Sequence, residues 1–167
     1  VATAQAALDV GANVVMVDID PVTLCIDPAA VEAAITPKTR AIIAVHLYGC
    51  MCDMDALGAL AAKHDLKIVE DVAHQHGSAW RGKRAGSLGD AGSFSFQQSK
   101  VLTSGEGGAI TCDDDDVYRT CFALKQVGFM PDPDAPVEPG QTPNIIPASR
   151  YKHNYRMTEM QAALLRG

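Results

Sequence analysis

The chain has 167 residues, of which 47% are hydrophobic and 20% charged, and its formal net charge is −6 at pH 7. This balance is typical of a globular domain with a buried core, and no run approaches the roughly 20 apolar residues that a membrane-spanning helix needs. The negative charge argues against a nucleic-acid-binding surface. The five cysteines include no CxxC pair, which argues against a zinc site and fits free thiols in the cytoplasm.

Strands and helices alternate in the predicted first part of the chain. Residues 2–8 are typical of a helix, and the apolar run 13–18 predicts a buried strand. Asp27, followed by Pro28, is a suitable N-cap for a helix. In order, the predicted elements that follow are a helix at 29–35, a strand at 40–46, a helix from Asp53 to about His64 and a strand at 66–70. Helices between apolar strands indicate an α/β fold with crossover connections and a mainly parallel sheet.

The pattern changes after residue 80, where glycines become frequent. The acidic residues from Asp113 predict the first turn of a helix, because negative charge is favourable at a helix N-terminus. The proline-rich stretch 131–147 predicts a long surface loop. The predicted elements of this part are strands at 93–96 and 108–112 around a polar loop, a helix at 113–127 and a helix at 157–166.

Polar residues stand at three predicted strand ends, which are His46, the pair Glu70-Asp71, and Ser95. In open α/β sheets ligands bind beyond the carboxyl ends of the strands. Glu70 and Asp71 are adjacent, so their side chains point in different directions and do not form an acid/base pair. Two interpretations of His46 stay open, one as a residue lining the site and one as a buried structural histidine, and the role of Trp80 is equally open.

Lys100 lies in the polar loop, five residues after Ser95 and before a glycine-rich turn. A lysine amine acts as a nucleophile when it is desolvated, and the neighbouring Phe94 and Phe96 indicate a partly buried environment. Gly105, Gly107 and Gly108 would let the backbone approach a ligand. A carboxylate, a hydroxyl and a lysine in this order suit pyridoxal 5'-phosphate (PLP), which needs an amine, an anion at its ring nitrogen and donors at its phosphate.

The sequence resembles the DegT/DnrJ/EryC1/StrS family of PLP-dependent aminotransferases of fold type I, the aspartate aminotransferase fold. This resemblance implies a three-layer α/β/α large domain with a mainly parallel sheet. Five blocks in the family's order carry the resemblance: TPKTRAIIAVHLYG (36–49), DMDAL (53–57), IVEDVAHQHGSAWRGKRAGSLGD (68–90), GSFSFQQSKVLTSGEGGAI (92–110) and HNYRMTEMQAALL (153–165). The family's N-terminal cofactor segment and small C-terminal domain find no counterpart in these blocks. We therefore expect residues 1–167 to be an interior part of the PLP-binding large domain, inactive in isolation.

The resemblance implies a role for each candidate site residue. Lys100 would form the Schiff base with PLP and act as the general acid/base. Asp71 would face the pyridine nitrogen, and Ser95 would bind the phosphate. His74 would contact the phenolic oxygen of the cofactor, at a position where many members carry glutamine. Asn154 would reach the phosphate in the neighbouring subunit, which implies a homodimer with shared active sites.

The implied function is a cytoplasmic aminotransferase that moves an amino group from glutamate or glutamine to a keto sugar or keto-cyclitol. Lys100 favours transamination, because related dehydratases carry histidine at that position. Two alternatives stay open, a 3-amino-5-hydroxybenzoate-synthase-like PLP enzyme and a non-catalytic PLP-binding relative. A nucleotide-binding Rossmann domain is disfavoured, because no GxGxxG follows a strand at the start of a helix.

Overall fold

The structure, a computed structural model, describes residues 1–132, 134–135, 144–147 and 153–166. The chain divides into two compact units, Val1–Thr111 and Cys112–Gly167. Among the described residues, no helix combines the length and apolar character needed to cross a membrane.

The first unit contains a four-stranded sheet. Its elements in chain order are α1 (Ala2–Asp9), α2 (Pro28–Ala34), β1 (Ala41–Val45), α3 (Met54–His64), β2 (Lys67–Asp71), β3 (Ala79–Trp80), β4 (Lys83–Arg84), β5 (Ala91–Ser95) and β6 (Gly108–Thr111). The strand order is β1-β2-β5-β6; the first three strands are parallel and β6 is antiparallel to β5. The predicted α/β fold with a mainly parallel sheet is confirmed. The short hairpin of β3 and β4 was not predicted.

Capping residues set the starts of the two helices that flank β1. The Asp27 carboxylate accepts a hydrogen bond from the N–H of Ala29, and Pro28 occupies the first helical position. The Asp53 carboxylate accepts from the N–H of Ala56 in the same way. Each cap satisfies a backbone donor that the helix itself leaves unpaired. The sequence-predicted starts of α2 and α3 are therefore correct to within a residue.

One face of the sheet forms the core of this unit. Ile42 and Ala44 of β1 and Ile68 of β2 are buried in a cluster with residues of α3, including Leu57, which is fully buried. Side chains alternate along a strand, so the residues between them, such as Val69 and Asp71, point to the opposite face and are only half-buried. Because Ile68 points into the core, Asp71, three residues later at the carboxyl end of β2, points away from it.

The prediction of a buried strand over residues 13–18 is wrong. Val15 and Met16 are 69% and 80% exposed, and residues 13–17 make no backbone hydrogen bond within the described part of the chain. Asp18 is linked to the following turn, where its carbonyl accepts from the N–H of Asp27 at 3.1 Å. An apolar run indicates a tendency towards burial, but a strand also needs a neighbour to pair with.

The second unit contains α4 (Asp115–Lys125), β7 (Phe129–Pro131), β8 (Ile145–Pro147) and α5 (Glu159–Leu164). Asp115 and Asp116 lie in the first turn of α4, which is acidic as predicted, and the Asp114 carboxylate caps the helix by accepting from two backbone N–H groups. The loop prediction for 131–147 is wrong at its two ends, because β7 and β8 pair there as an antiparallel hairpin. The intervening residues, apart from 132, 134–135 and 144, lie outside the described residues.

Candidate active site

Asp71 and Ser95 lie at the carboxyl ends of two neighbouring parallel strands. In the register of β2 and β5, Asp71 is paired with Ser93, and Ser95 follows two residues later. Paired residues of parallel strands point to the same face, as do residues two apart on one strand. The structure therefore places the Asp71 carboxylate and the Ser95 hydroxyl on one face of the sheet, at the carboxyl ends of its inner strands.

The Asp71 carboxylate is held by two donors. Its Oδ2 accepts a hydrogen bond from Thr3 Oγ1 at 2.7 Å, and its Oδ1 accepts from the N–H of Ala73 at 3.1 Å. Both bonds use the acceptor capacity of an ionised carboxylate and fix its orientation. Sequence reasoning missed Thr3, because the contact joins α1 to β2 across 68 positions and no local pattern signals it.

Ser95 is the last residue of β5 and is half-buried. Its Oγ accepts from the N–H of Gln97 at 3.4 Å, a long hydrogen bond and the one that this hydroxyl makes among the described residues. The hydroxyl proton is thus available to an external acceptor. A phosphate oxygen is an acceptor of that kind.

Lys100 lies in a hydrogen-bonded turn that follows β5. Its N–H donates to the carbonyl of Gln97 at 2.9 Å, and the end of the turn is closed by a bond from Ser104 N–H to the Phe96 carbonyl at 3.0 Å. The side chain is half-buried, as predicted. Within the described part of the chain its ammonium group has no salt-bridge partner, so the amine is available for covalent chemistry.

The other two predicted site residues, His74 and Asn154, are both exposed. His74 is exposed, and its ring meets that of Tyr48 edge-on with centroids 6.4 Å apart. Asn154 belongs to the second unit, where it is exposed and its Oδ1 accepts from Arg156 Nε at 2.9 Å. Its backbone forms a bridge with Gln126.

Glu70 is fully buried on the face opposite Asp71 and has a structural role. Burial acts to raise the pKa of this carboxyl, but hydrogen bonds from His46 and from backbone N–H groups outweigh it and hold the pKa below its ordinary value. The donors are His46 Nε2 (3.0 Å) and the N–H groups of Gly86 (2.9 Å), Leu88 (2.7 Å) and Gly89 (2.8 Å). His46 is accordingly a buried structural histidine, the second of its two interpretations.

The glycines after Lys100 have structural reasons of their own. Gly105 has a φ of +85°, which glycine adopts without strain, and a side chain there would meet nothing within 4 Å. A Cβ on Gly108 would lie 2.7 Å from the Phe94 carbonyl oxygen of the paired strand. Close strand packing, rather than approach to a ligand, explains Gly108.

Trp80 packs partly against the core cluster, which favours a packing role over a place in a substrate pocket.

Two surface cavities, of about 390 and 470 Å³, lie beside α2 and α3 and are lined by residues such as Ala56 and His64. Neither is lined by Asp71 or Lys100.

The sequence matches the DegT/DnrJ/EryC1/StrS aminotransferase family over residues 1–167. The chain belongs to this family. Among similar proteins, the L-glutamine:2-deoxy-scyllo-inosose aminotransferase of Streptoalloteichus tenebrarius is 47% identical over 165 residues, which is 99% of this chain and 39% of the relative. This member of the family thus spans about two fifths of that relative's length.

Two solved structures show the same fold. An aminotransferase from Psychrobacter cryohalolentis has a TM-score of 0.89 and 39% identity, covering 99% of this chain and 42% of its own. The structure of 3-amino-5-hydroxybenzoic acid synthase has a TM-score of 0.78 and 38% identity, covering 98% and 41%. The expected family and fold class are confirmed by these comparisons.

Proposed function

We propose that this chain is part of the large domain of a PLP-dependent aminotransferase that moves an amino group from L-glutamine or glutamate to a keto-cyclitol or keto sugar. One observation carries the proposal: Asp71 and Ser95 share a face at the carboxyl ends of neighbouring parallel strands, and Lys100, whose amine has no salt-bridge partner among the described residues, follows five residues after Ser95. The relative that acts on 2-deoxy-scyllo-inosose favours a keto-cyclitol and L-glutamine. Because the chain spans 39% of that relative, the activity is proposed for the whole protein.

Asp71, Ser95 and Lys100 match the three polar parts of PLP, which are its ring nitrogen, its phosphate and its aldehyde. When bound, the cofactor supplies an electron sink for charge that develops at the substrate carbon. Asp71, fixed by Thr3 and Ala73, would keep the ring nitrogen protonated by electrostatic attraction. The Ser95 hydroxyl would donate to the phosphate. Lys100 would hold the aldehyde carbon as a Schiff base and would carry the proton during transfer once its amine is released.

His74 and Asn154 complete the proposed site. The exposed His74 ring has a nitrogen that would donate to the phenolic oxygen, as the glutamine of other members would. The exposed Asn154 amide would donate to the phosphate in the partner subunit of a homodimer.

The lysine assignment is tested by trapping. The full-length protein is loaded with PLP, reduced with sodium borohydride and digested, and the modified peptide is identified by mass spectrometry. We expect the adduct on Lys100. Lys100→Ala should lose the adduct and the visible absorbance, and should lower turnover of 2-deoxy-scyllo-inosose with L-glutamine by about a thousandfold or more.

Lys38→Ala is the matched control, because Lys38 is an exposed lysine in a turn outside the site. It should keep adduct, absorbance and turnover. An adduct on another lysine, or an unchanged spectrum in Lys100→Ala, contradicts the assignment.

A second candidate is supported by the likeness to 3-amino-5-hydroxybenzoic acid synthase. The same residues would then serve elimination and aromatisation of an aminoshikimate-type substrate. Product analysis with both substrates separates the two functions. Formation of an aminated cyclitol supports the aminotransferase, an aromatic amine supports the synthase, and PLP binding without either product supports a non-catalytic relative.

A further inference from the structure

The backbone carbonyl of Ser95 is bound by a side chain in a place where a strand would normally bind it. Carbonyl groups two residues apart on a strand point to the same side. On β5, the Ser93 carbonyl faces β2 and accepts from Val72 N–H at 2.8 Å. The Ser95 carbonyl points the same way, but β2 ends at Asp71. His76 Nε2 takes the place of the missing strand donor and lies 2.8 Å from the Ser95 carbonyl oxygen.

The surroundings of the His76 ring define its hydrogen-bonding state. A carbonyl oxygen can only accept, so Nε2 carries the proton and donates it. Nδ1 is buried and has no partner within the described part of the chain. Phe94 and Phe96 pack on the ring with centroids 5.9 and 5.7 Å away, which restricts its rotation. Burying Nδ1 without a partner costs folding free energy. The hydrogen bond from Nε2 to the Ser95 carbonyl is the favourable polar contact that the ring makes in this position.

We infer that His76 is a positioning residue for Ser95: by holding the Ser95 carbonyl, it directs the Ser95 hydroxyl towards the cofactor's phosphate. This inference rests on the proposed function. Among the described residues, the 3.4 Å bond from Gln97 N–H is the one hydrogen bond that restrains the hydroxyl itself. Its direction therefore depends on the backbone at the end of β5, and His76 is the group that fixes that backbone on the β2 side.

The test compares binding of PLP with binding of pyridoxal, which lacks the phosphate. Dissociation constants are measured by absorbance titration of the full-length protein after removal of cofactor. His76→Leu removes the donor, and we expect it to weaken PLP about tenfold while pyridoxal changes less than about twofold. His76→Gln should restore PLP binding to within about threefold of wild type, because the glutamine amide can take the position of Nε2.

Ser95→Ala is the reference for loss of the phosphate contact. If His76 acts through Ser95, the double variant His76→Leu/Ser95→Ala should bind PLP no more weakly than Ser95→Ala alone. His76→Asn is a second loss variant, because its shorter amide falls short of the Ser95 carbonyl. It should behave like His76→Leu and keeps the test decisive if the leucine variant does not fold.

His64→Leu is the matched control, since His64 also has a buried ring nitrogen without a partner among the described residues but lies on α3. It should leave both constants unchanged. Equal weakening of PLP and pyridoxal in His76→Leu, unchanged PLP binding, or additive loss in the double variant overturns the positioning role. A wild-type protein that binds neither compound overturns the proposed function itself, and this inference with it.

Discussion

Glu70 and Asp71 are adjacent carboxylates that the alternation of a strand assigns to different tasks. Asp71 points away from the core and is held by Thr3 and Ala73. Glu70 points into the protein, where its two oxygens receive His46 and three backbone N–H groups. His46 Nδ1 accepts from Cys52 N–H, so Nε2 carries the proton and donates to Glu70. One carboxylate is thus directed away from the core, at the proposed site, while its neighbour joins two loops.

Replacing Glu70 with glutamine should destabilise the protein strongly. The amide would direct an NH₂ group at a site where every partner donates, which leaves buried donors unpaired. We expect a loss of about 2–4 kcal/mol in the free energy of unfolding, measured from urea denaturation. Glu32→Gln is the control, because Glu32 is an exposed partner of Lys63 and its replacement should scarcely move the midpoint. Equal effects in the two variants would contradict the structural role of Glu70.

The contribution of Glu70 should also depend on pH. Its pKa in the folded protein is below the ordinary value of 4.5, so folding favours the ionised form. The stabilisation is therefore complete above pH 4.5 and is lost as the pH falls through the lowered folded pKa. The difference in unfolding free energy between wild type and Glu70→Gln should be constant near neutral pH and shrink below pH 4.5. A difference in unfolding free energy that grows on acidification would contradict a lowered pKa of Glu70 in the folded protein.

Local patterns predicted part of the candidate site, and long-range contacts supplied the remainder. Asp71 and Ser95 were found because apolar runs mark strands and their ends are visible in the sequence. Thr3 and His76 were not found as site components, since their bonds reach across 68 and 19 positions. The sequence contains nothing that identifies the Ser95 carbonyl as the partner of His76.

At the scale of elements, prediction succeeded where capping and periodicity act within one segment. The helices α2, α3 and α4 begin at aspartate caps that the sequence displays. Pairing between segments was less visible, as two examples show: residues 13–17 have no strand partner within the described part of the chain, and β7 and β8 form a hairpin. A strand depends on a neighbour that its own sequence does not describe.

The packing between β5 and the loop after β4 gives a prediction at this scale. A Cβ added at Gly92 would lie 2.5 Å from Gly86 Cα and 2.7 Å from Thr111 Oγ1. Gly92→Ala should therefore push the loop away from the sheet. We expect the free energy of unfolding to fall by about 1–3 kcal/mol or more, which would appear as a lower thermal midpoint. Gly58→Ala is the control, because Gly58 lies inside α3 with nothing within 4 Å of a new Cβ. It should raise the midpoint, and an opposite order of the two variants would refute the packing argument.

At the scale of the whole molecule, the residues proposed for one site are divided between two units. Asp71, Ser95 and Lys100 belong to Val1–Thr111, whereas Asn154 belongs to Cys112–Gly167. In the proposed homodimer the Asn154 amide serves the site of the other subunit. Mixing two variants can therefore show whether Asn154 acts in its own subunit or in the partner subunit.

Mixed dimers of two defective variants should recover activity. Lys100→Ala and Asn154→Ala should each damage both sites of their own proposed homodimers. In a hybrid dimer, the subunit carrying Asn154→Ala supplies Lys100 and its partner supplies an intact Asn154, so one complete site forms while the other carries both defects. Random association of equal amounts makes about half of the dimers hybrid, giving about a quarter of wild-type turnover. If Asn154 instead acts within its own subunit, every site in the mixture contains a defect, and turnover stays at the mean of the two single variants.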